Sequence, residues 1–263
     1  HEFAHLLGAD DEYWGDINVN AGYFDLMSNG NYNGPERKGE CPAGTTPFNK
    51  IKWGWSSVTY LNEDSYQDLL LEYNYQSPNY YRLDNPYDDT EYFIIENRLR
   101  EGFDKWTPNN PSYVSTDPRD LNENLGGMLI WTIDDDNLNH DKIDLISASN
   151  EWTFPYFGVP FPFNNNPSGL NLTPNTIPNN SIRNISNPGV LIENIRWMTP
   201  ANNILVNINH DFLANYYVIS SNQTWNDTRI IDKDLLIIGN ATLTLQEGAV
   251  LKFEPQKKLQ VLN

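Results

Sequence analysis

The sequence predicts an α+β fold that is predominantly β. Residues 1–7 carry apolar side chains at helical spacing, which predicts one short helix. Residues 9–47 are rich in Gly, Asn and Asp and show little periodicity. Most of the remaining chain consists of short runs of aromatic and β-branched residues between turn formers, the pattern of β-strands.

The helix is predicted over His1–Leu7. Phe3, Leu6 and Leu7 recur at helical spacing, and Gly8 follows as a residue that ends helices. The irregular stretch of residues 9–47 is unusually long for a compact domain, and such stretches are typically functional or stabilised by a ligand.

The next part of the chain predicts strands. The runs with this pattern are Lys50–Leu61, Asp68–Tyr75, Glu91–Arg98, Gly127–Asp134, LIENIRWM at residues 191–198 and NILVNIN at residues 203–209. Residues 150–187 contain many Asn and Pro residues and predict an extended connection between strands.

The last fifty residues have a different sequence pattern. Strands of even length, separated by Gly-Asn and Glu-Gly turns, favour a repetitive β layer such as a β-solenoid or β-helix. A strand pair added to a β-sandwich is the alternative. We therefore divide the chain into residues 1–212 and residues 213–263, and we interpret the second part as the start of a module for adhesion or display at the cell surface.

The charge of the chain excludes two classes of partner. The 17 basic and 35 acidic side chains give a net charge of −18. A surface this acidic repels nucleic acids and anionic membranes. A single cysteine, Cys41, excludes an internal disulfide, and no apolar run approaches the roughly 20 residues of a transmembrane helix.

The first five residues, His1-Glu2-Phe3-Ala4-His5, form an HExxH motif. On a helix, positions i and i+4 share one face, so both imidazoles can bind one metal ion. Glu2 is placed to accept a proton from a water molecule on that ion and to act as general base. Two His and one carboxylate suit Zn²⁺ because this ligand set leaves one coordination position open for water and substrate.

Asp11 is the predicted third ligand. Gly8 can adopt the left-handed turn that ends the helix and directs the chain back towards the metal. Asp10 and Glu12 flank Asp11, so the choice among them depends on spacing. A solvated acidic turn without a metal is the alternative, and a distal carboxylate such as Glu96 is another candidate ligand.

These motifs carry a family resemblance. HEFAHLLGADDEYW followed by YFDLMSNG, and then PFNKIKWGWSSV, EYFIIENRLREGFD, GGMLIWTIDDD and HDKIDLISAS, resembles the immune inhibitor A family of metzincin-type zinc metallopeptidases. The resemblance covers residues 1–212 and implies the C-terminal portion of a zincin-like catalytic domain. It also implies that Asp11 replaces the usual third His, and that Met27 lies in a tight turn beneath the metal.

The resemblance implies a secreted or cell-surface endopeptidase that hydrolyses protein or peptide substrates. Catalytic domains of this family begin upstream of the metal-binding helix, so we expect that part of the cleft to be missing here. We therefore expect the fragment to be inactive alone and to bind zinc weakly. The alternative is a surface adhesion protein with a degenerate peptidase-like domain.

Two further groups of carboxylates are candidates for other roles. Asp134 and Asp136 begin an oxygen-rich loop after a predicted strand, which is compatible with a calcium site and equally with a solvated acidic turn. Glu96 is expected to form an internal ion pair with Arg98 or Arg100 in preference to binding the metal.

Overall fold

The computed structural model describes residues 1–12, 21–36, 38–61, 65–75, 77–85, 88–107, 126–136, 142–146, 171–172, 190–198, 202–210, 216–238 and 240–262. Within these residues the chain forms fifteen strands, two short α-helices and three short 3₁₀ helices. The prediction of a predominantly β structure is confirmed.

The helices and strands are numbered in chain order. The α-helices are α1 (Glu2–Leu6) and α2 (Pro47–Lys52), and the 3₁₀ helices span Gly22–Phe24, Asn29–Tyr32 and Gly102–Trp106. The strands up to residue 210 are β1 (Ser57–Tyr60), β2 (Ser65–Leu71), β3 (Asn79–Asn85), β4 (Asp88–Arg98), β5 (Gly127–Asp134), β6 (Ile143–Ile146), β7 (Val190–Met198) and β8 (Asn203–His210). The later strands are β9 (Tyr216–Ile219), β10 (Gln223–Trp225), β11 (Thr228–Ile231), β12 (Asp234–Ile238), β13 (Leu243–Leu245), β14 (Val250–Phe253) and β15 (Leu259–Leu262).

The predicted elements agree with most of these bounds, and the clearest error is at residues 50–61. The strand predicted there is wrong in its first half, because α2 occupies residues 47–52. Thr46 caps this helix by accepting the N–H of Asn49 at 3.4 Å, and Pro47 occupies the first turn. A capping residue followed by proline is a helix signal that outweighs the β-branched residues of the run.

Two sheets pack face to face in the first part of the chain. The first sheet has the order β1-β3-β4-β5-β6, with β1 parallel to β3 and the other pairs antiparallel. The second sheet has the order β2-β8-β7 and is antiparallel. Their facing side chains form one apolar core, which includes Phe93, Ile95, Ile130, Ile192 and Val206.

The opposite face of the first sheet is also covered. Tyr92, Leu129 and Trp131 on this face pack against Phe24 and Ile51. The described residues 1–12 and 21–53 form the layer on this side, which we call the N-terminal layer. Since both faces of the sheet are covered, all residues of β5 except the last are buried. The first sheet is therefore the central layer of three.

The strands after residue 215 form a β-solenoid-like coil. Three parallel ladders join β9-β12-β15, β10-β13 and β11-β14. The interior of the coil contains Ile219, Trp225, Ile231, Leu235 and Ile237. This arrangement agrees with the solenoid prediction, and it does not agree with a strand pair added to a sandwich, because every described pair is parallel. The predicted boundary between residues 212 and 213 lies outside the described residues.

The coil also contacts the rest of the chain. Leu236 points away from the coil interior and is buried against Leu191 of β7, with Tyr216 and Val218 beside it. One outer face of the solenoid therefore packs on the edge strand of the second sheet.

Two other predictions concern connections and membranes. The extended connection predicted over residues 150–187 lies outside the described residues, apart from residues 171–172, where Leu172 is buried and bridges to Ile192. Among the described residues, no helix is sufficiently long and apolar to cross a membrane.

Candidate metal centre

The N-terminal layer brings three potential ligand atoms together. His1 caps α1 and His5 lies in its last turn. The Nε2 atoms of the two imidazoles are 3.3 Å apart. Oδ1 of Asp11 is 3.1 Å from Nε2 of His1 and 3.3 Å from Nε2 of His5. The three residues predicted as metal ligands therefore form one cluster, and the choice of Asp11 over its neighbours agrees with this geometry.

The turn after α1 explains how Asp11 returns to the histidines. Gly8 has a left-handed φ of +81°. Its N–H donates to the carbonyl of His5 at 2.9 Å, and the N–H of Ala9 donates to the carbonyl of Ala4 at 3.1 Å. These two bonds are the Schellman pattern, which ends a helix and reverses the chain. The predicted role of Gly8 is confirmed.

Helix α2 fixes this turn from outside. Nζ of Lys52 donates to the carbonyl of Gly8 at 2.7 Å. Nε1 of Trp53 donates to the carbonyl of Leu7 at 2.9 Å. Both carbonyls lie at the end of α1, where helical partners are missing. The short helix is therefore stabilised by the side chains of Lys52 in α2 and of Trp53 at its C-terminal cap, as well as by its own hydrogen bonds.

A second turn, at residues 25–28, lies against α1. Met27 is fully buried and packs in one cluster with Ala4 and Ala9. The carbonyl of Met27 accepts the N–H of Glu12 at 2.9 Å. The turn is therefore in contact with both the helix and the segment that carries Asp11.

Backbone carbonyls orient both imidazoles. Nδ1 of His1 lies 3.0 Å from the carbonyl of Leu26, and Nδ1 of His5 lies 2.9 Å from the carbonyl of Ala9. A carbonyl only accepts hydrogen bonds, so each Nδ1 carries a proton, and a neutral imidazole with its proton there offers the Nε2 lone pair to a metal ion. Metal-binding histidines are usually held in this way by a second partner. Both rings therefore present Nε2 to the same point.

The separations of the three ligand atoms fit a zinc ion. Tetrahedral Zn²⁺ with bonds of roughly 2.0–2.1 Å places neighbouring ligand atoms about 3.3 Å apart. The separations here are 3.1, 3.3 and 3.3 Å. All three residues are partly exposed, so solvent and a further ligand have access to the cluster. Two imidazole nitrogens and one carboxylate oxygen form a donor set that suits Zn²⁺.

Glu2 is the first residue of α1 and is exposed. Glu2 directly follows His1 in the chain and is therefore close to the ligand cluster, and its side chain lies on the solvent-exposed side of the helix. This placement is compatible with the predicted role of Glu2 as general base, which stays a prediction.

Two carboxyl groups near the cluster are buried, those of Glu12, which follows Asp11, and of Asp25, in the turn at residues 25–28. Glu12 is 4% exposed, and burial raises its pKa to about 9, with further increases from the negative charges of Asp25, Asp10 and Asp144. Asp25 is fully buried, and burial raises its pKa to about 6, although hydrogen bonds from Thr46 and Met27 and the charge of Arg98 counteract this.

The sequence reasoning did not assign a role to Asp25. Its position two residues before Met27, in the same tight turn, was the available signal.

Glu96 lies in a separate network of charges in the core. Nη2 of Arg98 is 2.6 Å from Oε1 of Glu96, and Nη1 is 3.4 Å from Oδ1 of Asp104. Nε1 of Trp131 also donates to Oε1 of Glu96 at 2.9 Å. The predicted internal ion pair is confirmed, and its partner is Arg98. Arg98 also donates to the carbonyls of Phe24 at 2.5 Å and of Thr45 at 3.4 Å, and it thereby links β4 to the N-terminal layer.

The candidate calcium residues form a local turn. Oδ1 of Asp134 accepts the N–H of Asp136 at 3.1 Å, and the side chain of Asp135 pairs with Lys142 at 2.8 Å. Among the described residues, the His1, His5 and Asp11 cluster is the one group of three or more with metal-binding spacing. Residues 137–141 lie outside the described residues, so calcium binding at Asp134 and Asp136 stays a prediction.

Comparison of the chain with protein-family models, with curated proteins and with solved structures finds no match.

Proposed function

We propose that the chain carries the zinc site of a metallopeptidase that hydrolyses peptide bonds in proteins. The observation that supports this most directly is the spacing of 3.1–3.3 Å among the ligand atoms of His1, His5 and Asp11. The order of motifs that resembles the immune inhibitor A family is the second support.

Each residue has a distinct task in the proposed reaction. His1 and His5 would hold the ion through Nε2, and Asp11 would hold it through Oδ1. A zinc ion bound there would supply Lewis acidity, which lowers the pKa of a water molecule and polarises a substrate carbonyl. Glu2 accepts the proton of the attacking water and passes it to the amine nitrogen of the leaving group. The backbone carbonyls of Leu26 and Ala9 keep the imidazoles oriented throughout.

The proposal extends to the setting of the enzyme. We propose that it is secreted or attached to the cell surface, with the solenoid-like coil as the region for attachment. The net charge of −18 fits a protein that does not bind anionic polymers. Protein and peptide substrates approach the partly exposed ligand cluster from solvent.

Zinc binding by the whole chain is the first test. Competition with a chromogenic chelator should give one Zn²⁺ per chain for the wild type. His5→Ala and Asp11→Ala should each weaken binding by roughly 100-fold or more, because each removes a direct ligand. His210→Ala is the matched control, since His210 lies in β8 of the second sheet, and it should bind as the wild type does. Binding that is unaffected by His5→Ala and Asp11→Ala would rule out this centre.

Peptide hydrolysis is the second test, carried out on any longer natural polypeptide that contains the chain, because the chain alone is expected to be inactive. Glu2→Gln should retain zinc and lose activity by about 100-fold or more, because it removes the general base. The control is Glu247→Gln, at an exposed position in the coil. Full activity of Glu2→Gln would exclude the assigned role of Glu2.

The coil supports a second candidate, a surface-binding protein whose peptidase-like part is inactive. Chelator-insensitive or absent hydrolysis by a longer polypeptide that contains the chain, together with binding of the chain to cell-wall or carbohydrate material, would favour this candidate. The complete ligand set of His1, His5 and Asp11 favours the peptidase.

A further inference from the structure

We propose that Asp25 is the positioning residue of the metal centre, and that it acts through the backbone carbonyls of Leu26 and Met27 and not through the Met27 thioether. This inference rests on the proposed zinc site. It concerns how two of the three ligands are held in place.

Asp25 closes the turn at residues 25–28 with both carboxylate oxygens. Oδ2 accepts the N–H of Met27 at 2.9 Å, and Oδ1 accepts the N–H of Thr46 at 2.9 Å. The N–H of Ser28 donates to the carbonyl of Asp25 at 3.1 Å. Residues 25–28 belong to neither a strand nor an α-helix, so these bonds replace the regular pairing that buried backbone groups otherwise require. The carboxylate therefore determines the path of the turn.

The turn at residues 25–28 positions two of the three metal ligands. The carbonyl of Leu26 accepts Nδ1–H of His1 at 3.0 Å. The carbonyl of Met27 accepts the N–H of Glu12 at 2.9 Å, and Glu12 directly follows Asp11. Asp25 therefore acts on His1 and on the segment of Asp11 through the backbone of the turn at residues 25–28. His5 is held differently, by the carbonyl of Ala9 at 2.9 Å.

The side chain of Met27 contributes packing. It is fully buried and belongs to an apolar cluster with Ala4, Ala9, Leu26 and Trp53. Both hydrogen bonds of Met27 described above use its backbone, which a leucine at this position would keep. Leucine and methionine have similar volumes, so such an exchange is usually tolerated in a core.

Loss of a residue that orients metal ligands typically weakens metal binding by about 10–100-fold. Asp25→Asn replaces one carboxylate oxygen by an NH₂ group, which faces a backbone N–H and cannot accept from it. The path of the turn should therefore change, and the imidazole of His1 should lose its fixed orientation.

The experiment compares Asp25→Asn with two controls, Met27→Leu and Glu91→Gln. Glu91 is a carboxylate of similar burial in β4. Zinc affinity is measured by chelator competition, and the visible absorption of bound Co²⁺ reports the ligand geometry. We expect Asp25→Asn to lower zinc affinity by about 10–100-fold and to change the Co²⁺ spectrum. Both controls should stay within about threefold of the wild type and keep its spectrum.

Three results would overturn the inference. The first is wild-type affinity and spectrum for a folded Asp25→Asn variant. The second is a loss in Met27→Leu as large as that in Asp25→Asn, which would assign the role to the thioether. The third result is fast hydrogen exchange of the Met27 and Thr46 amides in the metal-free wild type, because both amides donate to Asp25. This measurement decides the case if Asp25→Asn does not fold, and slow exchange of the two amides would support the inference.

Failure of the inference differs from failure of the proposed function. If the wild-type chain does not bind zinc, the proposed function and the inference both fall. If the wild type binds zinc and Asp25→Asn binds it equally well, only the inference falls.

Discussion

The N-terminal layer and the solenoid-like coil are stabilised in opposite ways. In the layer, much of the chain is irregular, and side chains such as those of Asp25, Lys52 and Trp53 bind backbone groups directly. In the coil, parallel ladders pair the backbone, and an apolar interior that includes Leu235 and Ile237 fills the space between them.

This difference indicates which region can form a functional site. A ladder repeats one geometry along its length, so neighbouring side chains are fixed in rows. The layer instead bends the chain so that His1, His5 and Asp11 converge, and such bends need specific polar bonds. The following predictions test whether the two regions depend on these different interactions.

The largest expected effect is the loss of stability on replacing Arg98, which links the N-terminal layer to the first sheet. Arg98→Met leaves Glu96 and Asp104 buried without their counter-charge, so we expect the free energy of unfolding to fall by about 3–5 kcal/mol. Urea denaturation measures this change. Arg196→Met is the matched control, since Arg196 pairs with the exposed Asp68, and it should cost less than about 1 kcal/mol. Equal losses for the two variants would mean that the layer does not depend on its buried charges.

The coil should respond to loss of apolar volume. Leu235 is fully buried, and Leu235→Ala should cost about 2–5 kcal/mol. Its register partner Leu259 is 45% exposed, so Leu259→Ala should cost clearly less. Thermal denaturation measures both, and zinc affinity should be unchanged in each. A loss of zinc affinity in Leu235→Ala would contradict the separation of the two regions.

The buried carboxyl of Glu12 should make stability depend on pH. Its pKa rises from 4.5 to about 9 on folding, so the folded chain binds this proton more tightly than the unfolded chain does. The free energy of unfolding should therefore fall as pH rises between these values, by up to about 1.4 kcal/mol per pH unit. Metal-free Glu12→Gln should lose this slope and exceed the wild type in stability at pH 8.

Denaturation of the metal-free chains at pH 4, 6 and 8 measures this difference. Glu247→Gln, at an exposed position, is the control and should follow the wild type at every pH. A slope that persists unchanged in Glu12→Gln would assign it to another group, of which Asp25 is the first to test.

The smallest effect concerns two glycines with similar backbone angles. Gly8 has φ +81° and Gly248 has φ +88°. A Cβ at Gly8 would meet only Nζ of Lys52 at 3.9 Å, and one at Gly248 would meet nothing within 4 Å. Each substitution by Ala should therefore cost only the left-handed conformation, about 1 kcal/mol. Only Gly8→Ala should also weaken zinc binding, because only Gly8 directs the chain towards Asp11. Equal zinc affinities would contradict that role.

The sequence was sufficient to predict features that depend on near neighbours. His1, His5 and Asp11 fall within eleven residues, so helical periodicity and one glycine turn bring them together. Glu96 and Arg98 lie two positions apart on one strand, which places them on the same face and predicts their ion pair. The run Gly127–Asp134 coincides with β5.

Features that depend on distant contacts were less accessible. Asp25 acquires its role through Thr46, which is 21 positions away in the sequence, and no local pattern indicates that contact. The repeat of the coil was also hard to establish from sequence. Its paired strands are offset by 18 residues between Tyr216 and Asp234 but by 24 between Leu235 and Leu259, so no single period is visible.

The packing of Leu236 on Leu191 has a mechanical consequence. A force that pulls on the coil reaches the second sheet through this packing on β7 and along the chain from β8, the strand that precedes the coil. The ligand cluster lies in the layer on the far side of the first sheet, so the first sheet separates it from the second sheet, to which β7 belongs. Tension on the coil should therefore disturb the second sheet before it distorts the cluster.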